Sequence, residues 1–479
     1  MTIFYYYVQV YVKDLGRKTD SYFREAAAAA PLRRPLAAGF LAAGLHFLRR
    51  RLNSEPVTLL KIKRLSRANN GPEARFVLSK EAENDLHTYS HIYESQNGTP
   101  EQNMGKVLEM LGGIEAIIDK EDIVIIKPNG QQAKHNMTNT NTIKEFIDQV
   151  LSISRFNGEI IIAENHHHYH YDSAGWTTTF RNGDYNLNEL IDYYKDKSIH
   201  NVTKYHWKDA GEVPHSRFEI SKRGRIVSGP DEGDGYVWTD EDYCYQGKLT
   251  KMSYPIFTST FSGVTIDFKN GTWKNGKYTG QPVKFINMSA LRNHSNAGVT
   301  ATIKNYLGVV DLTCGYHGIN PPEYYNFHYI AVDWPEINIV RNGMKSFITS
   351  NFSKKQRIMS KIAQFVGPQN GALGGAVGHF MKTVRRADLN IIAAEYAGHE
   401  GRRKMPAHIK TVLASTDPVA LDYYAGKYVL YPLGGKRAED NNPDNPRGTF
   451  RRYLDLCQKQ GIGTLNEREM VIHKFNFKN

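Results

Sequence analysis

Uninterrupted apolar runs, rather than alternating ones, mark the core of this chain. Asp122 precedes Ile123–Ile126 in the stretch EDIVIIKPN at 121–129. A second run lies inside Glu159-Ile-Ile-Ile-Ala-Glu164, and the style returns at Val283–Asn287, Leu389–Ala393 and Thr411–Ser415. Runs of this length with no polar interruption fit strands buried on both faces, as in a parallel sheet. Between the first two, TIKEFIDQVLSISRF at 142–156 places Ile143, Phe146, Ile147, Val150 and Leu151 at helical spacing. Strand, loop, helix and strand within about 45 residues make a βαβ unit with a right-handed crossover. A further helix is expected from Asp417-Pro418, with Asp417 as N-cap and Pro418 in its first turn. Another is expected at Leu454–Lys459, stopped by Gly461 and Gly463.

The fold class expected is therefore α/β, with a mainly parallel sheet, flanking helices and a loop- and strand-rich insertion. The insertion is placed at about 166–282, where Tyr, Trp, Asp, Gly and Lys dominate and apolar runs are short. Three regions follow: a basic arm over 1–75, an α/β body over 76–434, and a helical C-terminal tail over 435–479 packed on the body.

The 479 residues carry a net charge of +12. Residues 1–75 hold 14 Lys and Arg against 5 Asp and Glu, a net of 14 − 5 = +9, which leaves +3 for the other 404. The basicity belongs to the arm, and with no helix-turn-helix, zinc-finger or RNP pattern a nucleic-acid partner is not expected. Within the arm, Leu36–Leu48 is too short to span a bilayer, which takes about 20 residues. Arg33-Arg34 before this Gly/Ala-rich stretch is similar to a twin-arginine export signal, but Arg49-Arg50-Arg51 closes the run and no A-x-A site follows. The open readings are a poorly ordered extension, an export signal, and a basic segment lying on a membrane surface. The location is accordingly either cytoplasmic or exported.

The three cysteines, Cys244, Cys314 and Cys457, lie far apart. They imply no disulfide framework, and an iron–sulfur cluster, which normally takes four thiolates, is not expected in this chain alone.

Three stretches resemble one family. KPN at 127–129 follows a buried strand; NMSALRNHSNAGVTATIKNYLG at 287–308 runs from an Asn-Leu-Pro-Lys-like start through His294 and Gly-Val-Thr to Lys304-Asn305-x-x-Gly308; VLASTDPVALD at 412–422 is similar to a closing motif. Together they resemble the DUF362 family, whose activity is unsettled and whose members often carry ferredoxin-like modules. The resemblance implies a redox or metal-linked setting. This chain departs from it: Ser289 and Ala290 stand for the usual Pro and first Lys, Arg292 stands for the second Lys, and the cysteine-rich module is missing.

Ligands of a parallel sheet bind beyond the carboxyl ends of its strands. Lys127 and Asn129 sit there, as cation and amide, or simply as a turn set by Pro128. Glu164 ends the next strand and leads into Asn165-His-His-His-Tyr-His170; Glu164, His166 and His168 form a candidate set for a divalent transition metal, against a solvated aromatic loop. His294, Lys304 and His399 are candidate acid–base groups. Arg292, Asn305, Asp417 and Asp422 are candidate ligand-binding groups, with Asp417 first of all a helix cap and Asp422 placed to pair with a buried cation such as Lys304; both carboxylates also fit a structural role. The Gly-rich run 367–378 lacks phosphate-cradle spacing and reads as a lid or a close helix packing.

The function expected is a metal-dependent or redox-linked enzyme with a polar site at the carboxyl edge of the sheet. The alternatives are a non-catalytic binding protein for an anionic small molecule and a partner subunit of a separate ferredoxin. If all the strands are parallel, these side chains should surround one cleft, with His166 or His168 at its rim.

Overall fold

The apolar runs pair with one another as strands of a single sheet. The computed structural model describes residues 89–130, 134–165, 181–207, 225–245, 248–294, 297–310, 371–398, 406–435, 438–446 and 448–478. The chain divides at Asn84/Asp85 into two units, and every described residue belongs to the second. The arm lies outside the described residues. Among those described, no helix is long and apolar enough to cross a membrane.

In chain order the body begins with β1 (Ser90–Gln96), α1 (Pro100–Met110), β2 (Ile123–Lys127), α2 (Thr140–Leu151), β3 (Glu159–Glu164), α3 (Leu187–Asp196) and β4 (Val202–His206). A small antiparallel region follows: β5 (Gly235–Trp238), β6 (Tyr243–Tyr245), β7 (Lys248–Thr250), β8 (Ser253–Thr258), β9 (Thr265–Asp267), β10 (Gly271–Lys274) and β11 (Lys277–Tyr278). The chain then returns through β12 (Val283–His294), β13 (Gly298–Thr300), α4 (Thr302–Asn305), α5 (Gly371–Thr383), β14 (Leu389–Gly398), β15 (Ala407–Ser415), α6 (Pro418–Tyr424), α7 (Thr449–Gln458) and β16 (Met470–Asn476).

The main sheet runs β16-β1-β15-β14-β12-β2-β3-β4, with β13 folded back on β12. Pairing is parallel from β14 through β12, β2 and β3 to β4, and again between β1 and β16. β15 runs against both its neighbours. One face packs Val124, Ile126, Ile160, Ile162, Ile286 and Met288 against apolar side chains of α1, α2 and α3. The other packs Ile123, Ile125, Ile161, Phe285, Ile392 and Leu413 with α5, α6, α7 and the small sheet. Burial on both faces is why these strands read as continuous apolar runs.

Three expectations need correction. The insertion begins later than residue 166: α3 and β4 form a second regular crossover onto the main sheet, because Leu187, Leu190, Ile191 and Tyr194 bury one helix stripe. β4 is an edge strand of mixed polarity, VTKYH, and so carries no apolar run. The C-terminal tail is not helical throughout, since β16 pairs along the whole of β1 after α7. Third, β15 is antiparallel, so its carboxyl end lies at the opposite edge of the sheet from those of β2, β3, β12 and β14.

The glycine run resolves into helix packing over its described part. Gly371, Gly374, Gly375 and Gly378 of α5 share one face at helical spacing. A Cβ on Gly374 would stand 2.0 Å from the Tyr453 carbonyl oxygen of α7, and one on Gly375 would stand 2.0 Å from the Tyr243 hydroxyl.

Candidate functional site

β2 and β3 end side by side with opposite charges. Lys127 is 1% exposed, and its Nζ donates to Glu164 Oε1 at 3.0 Å, to Asn305 Oδ1 at 2.8 Å and to the Pro128 carbonyl at 2.8 Å. The Gly130 N–H donates to the other Glu164 oxygen. Burial pulls Lys127 below its ordinary pKa and pushes Glu164 above its own, while their mutual attraction opposes both shifts. Gly308 closes over this pair: a Cβ there would lie 2.4 Å from Lys127 Nζ and 2.8 Å from Glu164 Oε1. The glycine that ends Lys304-Asn305-x-x-Gly308 therefore has a spatial cause.

Asn305 joins this pair to the centre of the sheet. Its Nδ2 donates to the Lys127 carbonyl at 3.1 Å and to Asn287 Oδ1 at 2.8 Å. Asn287 Nδ2 donates in turn to the Thr302 carbonyl and to Asn390 Oδ1, each at 2.9 Å. The chain of amides runs from β14 through β12 to β2 and β3. All of these residues are buried; a buried amide is tolerated where its groups are hydrogen-bonded, and in this chain of amides Asn390 Nδ2 lacks a partner among the described residues.

Lys304, one residue before Asn305, is 7% exposed. Among the described residues its ammonium has no hydrogen-bond or carboxylate partner. Burial, with the neighbouring positive charges of Arg292 and Lys127, lowers its pKa from 10.5 to about 7. Arg292, on β12, is pulled down by burial to about 10. Three buried cations thus meet at the carboxyl edge, with Glu164 bonded to Lys127.

The helix that carries Lys304 is held from below. Asp422 Oδ1 accepts from the Thr302 N–H at 2.9 Å and its hydroxyl at 2.6 Å, and Oδ2 accepts from the Ile303 N–H at 3.0 Å. Burial pushes its carboxyl up to about 7 despite these bonds. The expected pairing of Asp422 with Lys304 is not what forms: the carboxylate goes to the first-turn donors of α4, which otherwise lack partners.

Asp417 is also placed elsewhere. It caps α6 through the N–H groups of Val419 and Ala420, each at 2.9 Å, and accepts from the Thr464 N–H and the Ser90 hydroxyl. Because β15 is antiparallel, this cluster lies at the other edge of the sheet and does not join the lysines. His294 shapes the β12–β13 turn, its Nδ1 accepting from the Ala297 N–H at 3.1 Å. Asn129 lies beside β2 with its backbone bonded to Thr138, while its buried Oδ1 has no partner among the described residues.

Of the candidate metal set, Glu164 is engaged with Lys127, and His166 and His168 lie outside the described residues, as does His399. No group of three or more His, Cys, Asp or Glu that could hold a metal occurs among the described residues.

Sequence reasoning named Gly308 only as a motif position and gave no role to Asn287, Asn390 or Gly130. A signal existed for two of them: Asn287 and Asn390 each stand in an otherwise apolar strand, where an unpaired amide would be costly.

The fold and site define an α/β protein with a buried cationic centre beyond the ends of its parallel strands. Residues 264–427 match the family described as a domain of unknown function, DUF362, and the chain carries that domain. The matched region holds Arg292, Lys304, Asn305 and Asp422, while Lys127 and Glu164 come from the strands before it. No curated protein and no solved structure matches the chain.

Proposed function

We propose that this centre binds the anionic group of a small molecule, a carboxylate or a phosphate. The observation that carries the reading is Lys304: a buried ammonium beside Arg292 and Lys127, without a carboxylate partner among the described residues. Burying a cation without a counter-ion is costly. A bound anion supplies the counter-ion, and a guanidinium suits bidentate contact with carboxylate or phosphate.

The test is thermal melting of the full chain at pH 7 in inorganic phosphate, malonate or citrate against chloride at equal ionic strength. Stabilisation that rises with anion concentration, and is lost in Lys304→Met, is expected. Equal melting in all four salts would sink the reading.

A second reading has its own support. A lysine with a pKa near 7 is matched to general acid–base work at neutral pH, so the site also suits an enzyme acting on the anion it holds. A metal-linked version of that enzyme needs ligands such as His166, His168 or His399, and stoichiometric transition metal in the purified chain is its test.

A further inference from the structure

The main sheet is open at β16. Among the described residues β16 pairs only with β1, along all seven of its residues and without a bulge. Each strand residue points its N–H and C=O to one side, and the side alternates along the strand. The Phe477 N–H donates to the Gln96 carbonyl at 3.0 Å, so Val471, His473 and Phe475 face β1 as well. The backbone groups of Met470, Ile472 and Lys474 therefore face outward. Beyond them the Lys478 N–H is taken by the Asn476 side chain at 3.0 Å, which ends the open stretch.

Edge strands are commonly guarded against pairing by proline, by a bulge or by a lysine held at the edge. β16 has no proline, its register is unbroken, and its one lysine is drawn inward: Lys474 Nζ lies 3.1 Å from the buried Glu94 carboxylate. Ile472, between Met470 and Lys474, is 39% exposed. The charge along this stretch is divided. Two glutamates and one arginine, Glu467, Arg468 and Glu469, precede the strand, and two lysines, Lys474 and Lys478, lie toward its end.

From this edge we infer that the protein pairs with a second copy of itself, β16 against β16, antiparallel about a two-fold axis at Ile472. Antiparallel pairing sets the acidic start of each strand beside the basic end of the other, whereas parallel pairing would align like with like. In this register Ile472 exchanges both backbone bonds with the partner's Ile472, and Met470 does so with the partner's Lys474. Moving the axis by one residue, to Val471 or to His473, would set Arg468 opposite the partner's Lys474 or Lys478, and like charges directly opposite are destabilising. The two exposed isoleucines cover each other. A two-fold contact uses up both edges, so the assembly stops at a dimer. One strand pair is a small interface, so dissociation in the range of about 1–100 µM is expected.

The oligomeric state of the full chain tests this. Analytical ultracentrifugation at rising concentration should show monomer giving way to dimer and to nothing larger. Ile472→Lys puts two ammonium groups face to face on the axis and changes only an exposed side chain; it should raise the dissociation constant at least tenfold. Ile472→Pro removes an outward N–H that makes no bond to β1, a change edge strands tolerate, and should do the same. Circular dichroism and melting report whether each variant is folded, and the lysine variant decides alone if the proline variant is not. Hydrogen exchange of the peptide covering 470–477 should slow with concentration in wild type and not in Ile472→Lys. A wild type that stays monomeric at 100 µM, assemblies larger than a dimer, a dimer as tight in Ile472→Lys as in wild type, or exchange in β16 that ignores concentration overturns the inference.

Discussion

Replacing Lys304 by Met should make the protein more stable, and by an amount that depends on pH. The side chain is 7% exposed and its pKa falls from 10.5 to about 7, with burial as the main cause. A lowered pKa in a base means that the folded state binds fewer protons than the unfolded chain between those two values. Stability therefore rises with pH across that window, and the charged form weakens the fold most below pH 7. The gap between the two values corresponds to about 5 kcal/mol at about 1.4 kcal/mol per pH unit, an upper figure that shrinks to about 1 kcal/mol by pH 10. An unfolding entropy of about 2 cal/mol/K per residue over about 400 residues converts 5 kcal/mol to a shift of about 6 °C. Methionine fills a similar volume and brings no charge, so Lys304→Met should lose this pH dependence. Melting temperatures of both proteins in chloride buffers from pH 6 to pH 10 provide the assay. The variant should melt several degrees above wild type at pH 6, and the two should converge near pH 10. A variant that melts below wild type at pH 6, or by a constant offset at every pH, refutes the assignment of Lys304 as a buried, uncompensated cation.

The other lysine of the site should behave oppositely. Lys127→Met leaves Glu164 buried with the Gly130 N–H as its remaining described partner, and breaking one side of a buried pair costs about 3–5 kcal/mol; a melting temperature equal to wild type would contradict the geometry. Gly374→Ala should lower the melting temperature although alanine favours helix by about 1 kcal/mol. The new Cβ would stand 2.0 Å from the Tyr453 carbonyl, and overpacking of this kind costs about 1–3 kcal/mol or more. An unchanged or higher value would mean that α5 and α7 do not meet as described. Deleting residues 1–70 should leave a soluble, cooperatively melting body, because every buried-strand run lies beyond them; an insoluble or molten product would make the arm structural.

Much of the sheet was legible because burial on both faces writes itself as uninterrupted apolar runs, as at Ile123–Ile126 and Leu389–Ala393. β15 shows the limit. Its run 411–415 looks like its neighbours, since a central strand is buried on both faces whichever way it points. Direction depends on the connection, which composition does not encode, and that single reversal moved Asp417 to the far edge. The site was legible where charge stood at a strand end, as with Lys127 and Glu164. Lys304 and Asp422 were both legible as charged groups, but the backbone partners of Asp422 were not. A carboxylate near a lysine invites an ion pair, whereas four residues of helix have first-turn N–H groups that compete for the same oxygen atoms. Asn287 and Asn390 stand alone in apolar strands, and nothing in the local pattern shows that each faces the other across β12 and β14.

The central claim, that Lys304 takes a bound anion as its partner, is tested most directly by counting protons. With a pKa of about 7, Lys304 is about 90% neutral at pH 8. An anion placed against it favours the charged form and draws a proton from buffer. Calorimetric titration of the full chain with an anion that stabilises it, at pH 8 in two buffers of different ionisation enthalpy, measures that uptake. The account predicts close to one proton taken up per anion bound by wild type and close to none by Lys304→Met. Anion binding to wild type with no proton uptake would show that Lys304 is already charged or does not face the ligand, and would contradict it.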